Sequence, residues 1–185
     1  MTSEAKIRPA SVADAPAIAR VHVESWRTTY EGIIPDSYLS GLSAAELEPR
    51  WIERLRSGRV AFVAESCAGE VFGFATGGLR EEESFPEYDA ELYAIYLLRP
   101  HQRIGVGRSL FAAVVDGLSR EERTSMLLWV LWDNPARGFY ERLGGRRLGS
   151  QEIEVAGARL PEVAYGWTDL DKNAEKVRYR IEADG

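Results

Sequence analysis

The segment with the clearest chemical potential covers residues 102–108, which read Gln-Arg-Ile-Gly-Val-Gly-Arg. It lies between a predicted strand and a predicted helix, so backbone N–H groups and the positive helix end point to one place. Gly105 and Gly107 let a ligand approach the backbone closely, and Arg103 and Arg108 add positive charge. This combination predicts a binding site for an anion such as a phosphate.

Two better-known phosphate motifs do not fit this loop. A Walker A loop needs Lys after its last glycine, whereas Arg108 and Ser109 follow Gly107 here. A dinucleotide-binding fingerprint needs a third glycine where this chain has Leu110. An ordinary strand–helix turn without a ligand remains the alternative interpretation of the two glycines.

A second segment makes the loop more specific. Residues 134–145 read Asn-Pro-Ala-Arg-Gly-Phe-Tyr-Glu-Arg-Leu-Gly-Gly. In this order and spacing, the two segments resemble the pyrophosphate loop and the following Asn…Phe-Tyr…Gly segment of the GNAT N-acetyltransferase superfamily. The chain departs from that pattern at Gly138 and Gly145, where Ala and Phe are common, and neither change removes a polar group. The resemblance covers residues 7–170, and residues 21–35 are similar to a bacterial branch of largely unassigned substrate.

The resemblance implies that acetyl-CoA is the cosubstrate and that no metal takes part. The strand over residues 91–98 is expected to separate from the next strand and to pair with the pantetheine arm through its free backbone groups. An N–H of this strand, at Leu97, would polarise the acetyl carbonyl. Asn134 would contact the same arm, although capping a helix explains it equally well. The residues expected to bind the cosubstrate are Ile95, Tyr96, Leu97, Gln102, Arg103, Ile104, Gly105, Val106, Gly107, Arg108, Asn134 and Tyr140.

The resemblance also assigns an acid and a base. Tyr140 stands where the family carries the general acid that protonates the leaving thiolate; a plain core tyrosine is the alternative. Glu91 opens the strand that faces the cleft and would accept the amine proton, unless it is only a solvated charge at a strand end. His22 is the nearest alternative base, although a core or surface histidine explains it as well.

The acceptor side is less specified. Residues 81–91 contain six acidic side chains, which could attract a cationic amine or could form an ordinary solvated loop. Trp26 and Tyr30 could give the acceptor site aromatic walls, or they could belong to the core. With Glu91 they form the expected substrate-binding set. The leading hypothesis is acetyl transfer to a small cationic amine; the alternatives are transfer to a protein or peptide amine and a non-catalytic acyl-CoA sensor.

Hydrophobic periodicity predicts the elements that must position these residues. Strands are expected over residues 7–10, 60–66, 71–79, 91–98, 125–132, 151–155 and 160–167, and helices over 11–30, 36–56 (broken at Pro49), 107–120 and 134–144. Alternation along the fourth strand would place Glu91 and Ile95 on one face and Tyr96 on the other. The order predicts an α/β domain with a mixed, mostly antiparallel sheet flanked by helices, which is the GNAT-like fold.

Composition limits the other possibilities. The 185 residues carry a formal charge of −6, which argues against a nucleic-acid-binding or anionic-membrane-binding surface. Cys67 is the single cysteine and there are two histidines, so an internal disulfide and a Cys/His zinc site are excluded within one chain. We expect a cytoplasmic protein with one domain over residues 1–170, a polar tail over residues 171–185 and, as is common in this superfamily, possible homodimer formation.

Overall fold

A computed structural model describes residues 5–82 and 84–172. The strands are β1 Lys6–Pro9, β2 Val60–Glu65, β3 Val71–Leu79, β4 Ala90–Leu97, β5 Ser125–Leu131, β6 Arg146–Val155 and β7 Ala158–Thr168. The helices are α1 Ala15–Thr29, α2 Asp36–Gly41, α3 Ala44–Arg56, α4 Val106–Arg120 and α5 Arg137–Arg142, with short 3-10 turns at Val12–Asp14 and Arg99–His101. The predicted polar tail lies outside the described residues from 173 onward.

The strands form one seven-stranded sheet in the order β1-β2-β3-β4-β5-β7-β6. Strands β4 and β5 run parallel and every other neighbouring pair is antiparallel. The parallel pair requires a crossover, and α4 provides it. The predicted mixed, mostly antiparallel α/β sheet flanked by helices is therefore confirmed.

Helices cover both faces of this sheet because each presents one apolar stripe. Helix α4 buries Leu110, Phe111 and Val114 against one face, with Met126 of β5 in the same cluster. Helices α1 and α3 cover the other face, where Ile18 and Trp51 pack with strand residues. The two helical layers leave the β4–β5 junction between them as the place where a cleft can form.

The helical region before β2 differs from the prediction. The break lies at Leu42 and Ser43, between α2 and α3, and Pro49 lies inside α3. Proline removes one hydrogen bond from a helix interior, but burial of Trp51 against α1 and the sheet holds α3 in place. The predicted break at Pro49 was therefore wrong.

Strand β4 also departs from simple alternation. Its register places Ala94 opposite Thr76 and Leu92 opposite Gly77, so Tyr93 has no partner on β3 and forms a β-bulge. A bulge shifts the side chains that follow it to the opposite face. Leu92 and Ile95 consequently share the α4 face. The predicted face assignment is wrong beyond the bulge.

Among the described residues, no helix combines the length and the apolar character needed to cross a bilayer.

Candidate active site

The opening between β4 and β5 defines the site. The two strands pair only where Ala90 faces Met126 and Glu91 faces Leu127. Beyond these positions they diverge, and the β4 backbone groups that point toward β5 have no strand to pair with. The separation that the family resemblance implied is present, and it leaves a gap in the middle of the sheet.

A cavity of about 990 Å³ occupies this gap. Its walls are β4 from Leu92 to Leu97, the loop before α4, the middle of β5, the segment from Asn134 to Leu143, and Tyr30 at the end of α1. A pocket of this size is at the upper end of what small-molecule and cofactor sites occupy. The structure thus brings the loop, the separated strand and Tyr140 around one space.

The loop before α4 has the geometry expected of an anion site. Gly105 is the N-cap of α4 and has a φ of 90°, in the left-handed region that glycine adopts without a Cβ penalty. Its carbonyl oxygen accepts hydrogen bonds from the N–H groups of Arg108 (3.0 Å) and Ser109 (3.2 Å). Val106 and Gly107, the first two residues of α4, precede these donors; their N–H groups have no intrahelical acceptor and are available to a ligand.

The predicted loop residues do not all face the cavity. Gln102, Arg103, Gly105, Gly107 and Arg108 line it. Ile104 is 58% exposed and Val106 packs into the core, so neither side chain lies in the cavity wall.

Gln102 has a partner within the chain. Its Nε2 donates a hydrogen bond to the carbonyl oxygen of Leu97 at 3.0 Å, which ties the loop to the end of β4. Ile95, Tyr96 and Leu97 all line the cavity. Because Ile95 and Leu97 point their side chains into the α4-side cluster, the part of these two residues that a ligand meets is largely backbone.

Tyr140 lies in α5 with only 7% of its surface exposed, and it lines the cavity. Its hydroxyl makes no hydrogen bond to any residue in the described part of the chain. Burial, with a further contribution from Tyr30, raises the pKa of Tyr140 well above its usual value. The phenol therefore keeps its proton at neutral pH. It faces a space where a bound ligand could accept that proton.

Asn134 makes two side-chain hydrogen bonds just before α5. Its Oδ1 accepts a hydrogen bond from the N–H of Ala136 at 2.8 Å, which is a capping interaction even though α5 itself begins at Arg137. Its Nδ2 donates to the hydroxyl of Tyr30 at 3.5 Å. The residue also lines the cavity.

Glu91 lies where β4 and β5 still pair, next to the opening rather than in the cavity wall. It is half-buried, and no described residue forms a hydrogen bond or ion pair with its carboxylate. Burial raises the pKa of Glu91 to about 7, with repulsion from Glu82 and Glu162 partly offset by Arg80 and Arg59. A carboxyl group with this pKa can change protonation near neutral pH, as a general base must.

His22, the alternative base, lies inside an aromatic cluster. Its ring stacks on Tyr96 at a centroid distance of 5.6 Å and meets Trp51 edge-on at 5.8 Å. Burial, with the nearby charge of Arg54, lowers the pKa of His22 to about 4. The histidine is therefore neutral at pH 7 and belongs to the packing around α1.

The aromatic residues of α1 divide between wall and core. Tyr30 lines the cavity, whereas Trp26 packs against Tyr30 at a ring-centroid distance of 5.0 Å behind it.

The acidic loop is more structured than a solvated segment: the buried Arg80 guanidinium donates to the carbonyl oxygen of Glu82 (2.8 Å) and to Ser84 Oγ (2.6 Å). Asp89 is occupied too, because it accepts the N–H of Ser125 at 3.0 Å.

Sequence reasoning missed Glu162. This residue on β7 is only 8% exposed, and burial raises its pKa. One carboxylate oxygen accepts a hydrogen bond from Gln151 Nε2 at 2.7 Å. A lone glutamate at the start of the apolar run 163–165 was the available signal, but only the pairing of β7 with β5 places it on the side of the sheet near Glu91.

Comparisons with known proteins identify similar sequences. The family model of FR47-like proteins matches residues 73–154. The "Uncharacterized N-acetyltransferase YuaI" of Bacillus subtilis is 46% identical over 165 residues, covering 89% of this chain and 93% of that protein. The "Probable N-acetyltransferase Rv2775" of Mycobacterium tuberculosis is 28% identical over 174 residues, covering 88% and 93%.

Solved structures share the fold at lower identity. The PaiA N-acetyltransferase of Thermoplasma acidophilum, in complex with coenzyme A, is 19% identical with a TM-score of 0.64, covering 89% of this chain and 99% of that one. The ribosomal-protein-alanine N-acetyltransferase of Brucella melitensis is 24% identical with a TM-score of 0.70, covering 88% and 99%.

Proposed function

The chain belongs to the GNAT N-acetyltransferase superfamily, and on that premise we propose that it transfers the acetyl group of acetyl-CoA directly to a small cationic primary amine within a ternary complex. One observation carries the proposal: a single cavity joins the loop before α4, the separated β4 strand and the unpartnered hydroxyl of Tyr140. An acyl-CoA needs an anion site, a strand-like partner for its amide-bearing arm and a proton donor near its sulfur, and these features match the three needs.

The cosubstrate side rests on backbone geometry. In our proposal the N–H groups at the start of α4 bind the pyrophosphate, and Arg103 and Arg108 add positive charge from the cavity wall. The backbone of Ile95, Tyr96 and Leu97 pairs with the pantetheine arm. The N–H of Leu97 stabilises the negative charge that develops on the acetyl oxygen.

The chemistry then needs three proton transfers. The ammonium group loses one proton to Glu91, directly or through water, and the neutral nitrogen forms a bond to the acetyl carbon. The carbon–sulfur bond breaks, and the sulfur takes the electron pair and then the proton of Tyr140. The nitrogen releases its second proton, directly or through water, to the Tyr140 phenolate, which restores the phenol. Donation from phenol to thiolate is uphill from the ordinary pKa values of about 10 and about 8.5, and the raised pKa of Tyr140 makes it more so. A position close to the sulfur therefore matters more than acidity.

The acceptor side supports a cationic amine. Glu91 and Glu162 each lack a cationic side-chain partner among the described residues, and the negative charge of Glu162 is close enough to Tyr30 to contribute to its raised pKa. Carboxylates and aromatic faces both stabilise an ammonium group. We therefore assign amine binding to Tyr30 in the cavity wall and to the carboxylates of Glu91 and Glu162. Trp26, which the sequence also predicts for this role, supports the Tyr30 ring from behind.

The decisive experiment is a screen of amines that follows release of the CoA thiol, combined with the substitution Tyr140→Phe. Loss of the phenolic proton should lower turnover about 10²-fold or more, the usual range for a general acid, while calorimetry should give nearly unchanged acetyl-CoA affinity. Tyr88→Phe is the matched control, because this buried phenol lies outside the cavity and makes no hydrogen bond to a described residue.

The outcomes separate the competing functions. Equal turnover in Tyr140→Phe would exclude the assigned acid. Binding of acetyl-CoA without thiol release for any amine would support an acyl-CoA sensor. Acetylated protein in a lysate, with no acetylated small amine, would move the acceptor to a protein or peptide.

The cellular setting belongs to the same proposal. Cys67, which is exposed and is the single cysteine of the sequence, suits the reducing cytoplasm. The hairpin of β6 and β7 forms one edge of the sheet, and Trp132 is an exposed aromatic residue, which supports homodimer formation. We propose that residues 1–170 form the catalytic domain.

A further inference from the structure

Side chains connect the two walls of the opening where the backbone does not. Tyr96 belongs to β4, Asn134 follows β5, and Tyr30 ends α1. The hydroxyl oxygens of Tyr30 and Tyr96 are 3.0 Å apart, and Asn134 Nδ2 donates to the Tyr30 hydroxyl at 3.5 Å. We call these three residues the hydroxyl bridge, because the Tyr30 oxygen contacts both walls at once.

Both ends of the bridge are held firmly. On the β4 wall, the ring of Tyr96 stacks on His22 with an interplanar angle of 16°. On the other wall, the bond from the Ala136 N–H to Asn134 Oδ1 fixes which end of the amide faces Tyr30. Tyr30 itself is fixed by its backbone N–H, which donates to the carbonyl oxygen of Trp26 at 3.0 Å.

The Asn134 end of the bridge leads directly to the proposed acid. The carbonyl oxygen of Asn134 accepts the N–H of Arg137 at 3.3 Å, and the carbonyl oxygen of Ala136 accepts the N–H of Tyr140 at 3.3 Å. A shift of Asn134 would therefore be passed to the first turn of α5 and to the Tyr140 side chain. No β4–β5 backbone pair beyond Glu91 and Leu127 resists such a shift.

From this geometry we propose that Tyr30 is a positioning residue: its hydroxyl sets the distance between β4 and the Asn134 turn and so places Tyr140 against the thioester. The inference rests on the proposed acetyl transfer and adds a residue to it. Tyr30 acts through Asn134 and α5, in addition to the aromatic wall it offers the acceptor.

The substitution Tyr30→Phe removes the hydroxyl group of Tyr30 and keeps its aromatic ring, so it tests the hydroxyl group alone. The Tyr30 ring packs with Trp26, Ile34 and Leu39 in a small apolar cluster, and a phenyl ring keeps those contacts. Tyr30→Phe should thus leave thermal stability close to wild type while it removes both hydrogen bonds of the bridge.

The test measures turnover, hydrogen exchange and coupling in the full chain. Tyr30→Phe should lower kcat about five- to tenfold, the effect of losing a typical hydrogen bond, with less than a twofold change in the KM for acetyl-CoA. Without any ligand, amides of residues 136–140 should exchange faster, while those of β2 and β3 should not. In a Tyr140→Phe background the effect of Tyr30→Phe on kcat should disappear, because the two residues act as one unit.

Two further substitutions, Tyr96→Phe and Tyr88→Phe, serve as controls for this test. Tyr96→Phe removes the same bridge from the β4 side and should reproduce the faster exchange, whereas Tyr88→Phe should not. If wild type transfers acetyl groups but Tyr30→Phe keeps its kcat, or if the two substitutions are additive, the positioning role is wrong and the proposed function stands. If wild type acetylates nothing, the proposed function fails, and unchanged exchange in Tyr30→Phe would then overturn the bridge as well.

Discussion

The two sides of the proposed active site are built in different ways. The proposed cosubstrate side comes from one continuous segment, residues 102–108, and from the backbone of β4, and it carries Arg103 and Arg108. The proposed acceptor side is assembled from Tyr30 in the cavity wall and from the carboxylates of Glu91 on β4 and Glu162 on β7, which lie outside that wall. One side is therefore specified locally and is positive, whereas the other is specified by the tertiary fold and is negative.

This difference explains how a chain with a formal charge of −6 can bind a polyanionic cosubstrate. The negative charge is distributed unevenly, so the loop before α4 keeps a local positive field. The difference between the two sides also predicts that substitutions fall into two groups with separate effects. Changes on one side should affect acetyl-CoA, and changes on the other should affect the amine and the pH dependence.

On the acceptor side, the largest expected effect comes from Glu91→Gln. If the carboxylate accepts the amine proton, wild-type kcat/KM for the amine should rise as pH increases through about 7, because only the ionised form is a base. The glutamine variant should lose that rise and about 10²-fold in turnover, the usual contribution of a general base. A pH–rate profile measures both.

Glu81→Gln is the control for this profile, since Glu81 is an exposed acid of the neighbouring loop. A profile of Glu91→Gln that still rises through pH 7 would assign the base to another group and would leave the acceptor side without its proposed chemistry.

The cosubstrate side should respond to Gly105→Val with weaker acetyl-CoA binding, by about tenfold. A Cβ at Gly105 meets no atom within 4 Å, so the cost comes from the backbone, whose φ is 90°. Left-handed conformations cost a branched residue about 1–2 kcal/mol, whereas asparagine adopts them more readily. Calorimetry should thus show a smaller loss for Gly105→Asn, and equal affinity for all three proteins would exclude a role for this conformation in binding.

The smallest effect is expected from Glu162→Gln, which removes one negative charge but keeps an oxygen that Gln151 can still donate to. The KM for a cationic amine should rise about fivefold, as for a charge pair worth about 1 kcal/mol, with the KM for acetyl-CoA unchanged. Initial-rate kinetics measure the KM for the amine and the KM for acetyl-CoA. Glu152→Gln, an exposed residue of β6, should change neither constant; a rise in the acetyl-CoA constant for Glu162→Gln would contradict the division between the two sides.

Local sequence signals were sufficient for most of the sheet and for the loop. The strand–loop–helix at residues 97–110 and the hairpin of β2 and β3 follow from periodicity and turn residues, which act over a few positions. Pro49 misled because a helix boundary also depends on what the helix buries, and Trp51 packs into the core on both α1 and the sheet. The bulge at Tyr93 left no signal in the run of apolar residues, since it depends on the register with β3.

The sequence by itself predicted the order of the elements and the strand–loop–helix at residues 97–110, because each of these depends on neighbours within about a dozen positions. The candidate acid, Tyr140, came from the family resemblance and remains a proposal. The tertiary structure decided the rest. It brought Glu162 to the acceptor side through the pairing of β7 with β5, and it put His22 into an aromatic core where it stays neutral. It also joined Tyr30, Tyr96 and Asn134 across the opening. Such contacts join residues up to 104 positions apart, and no short-range pattern encodes them.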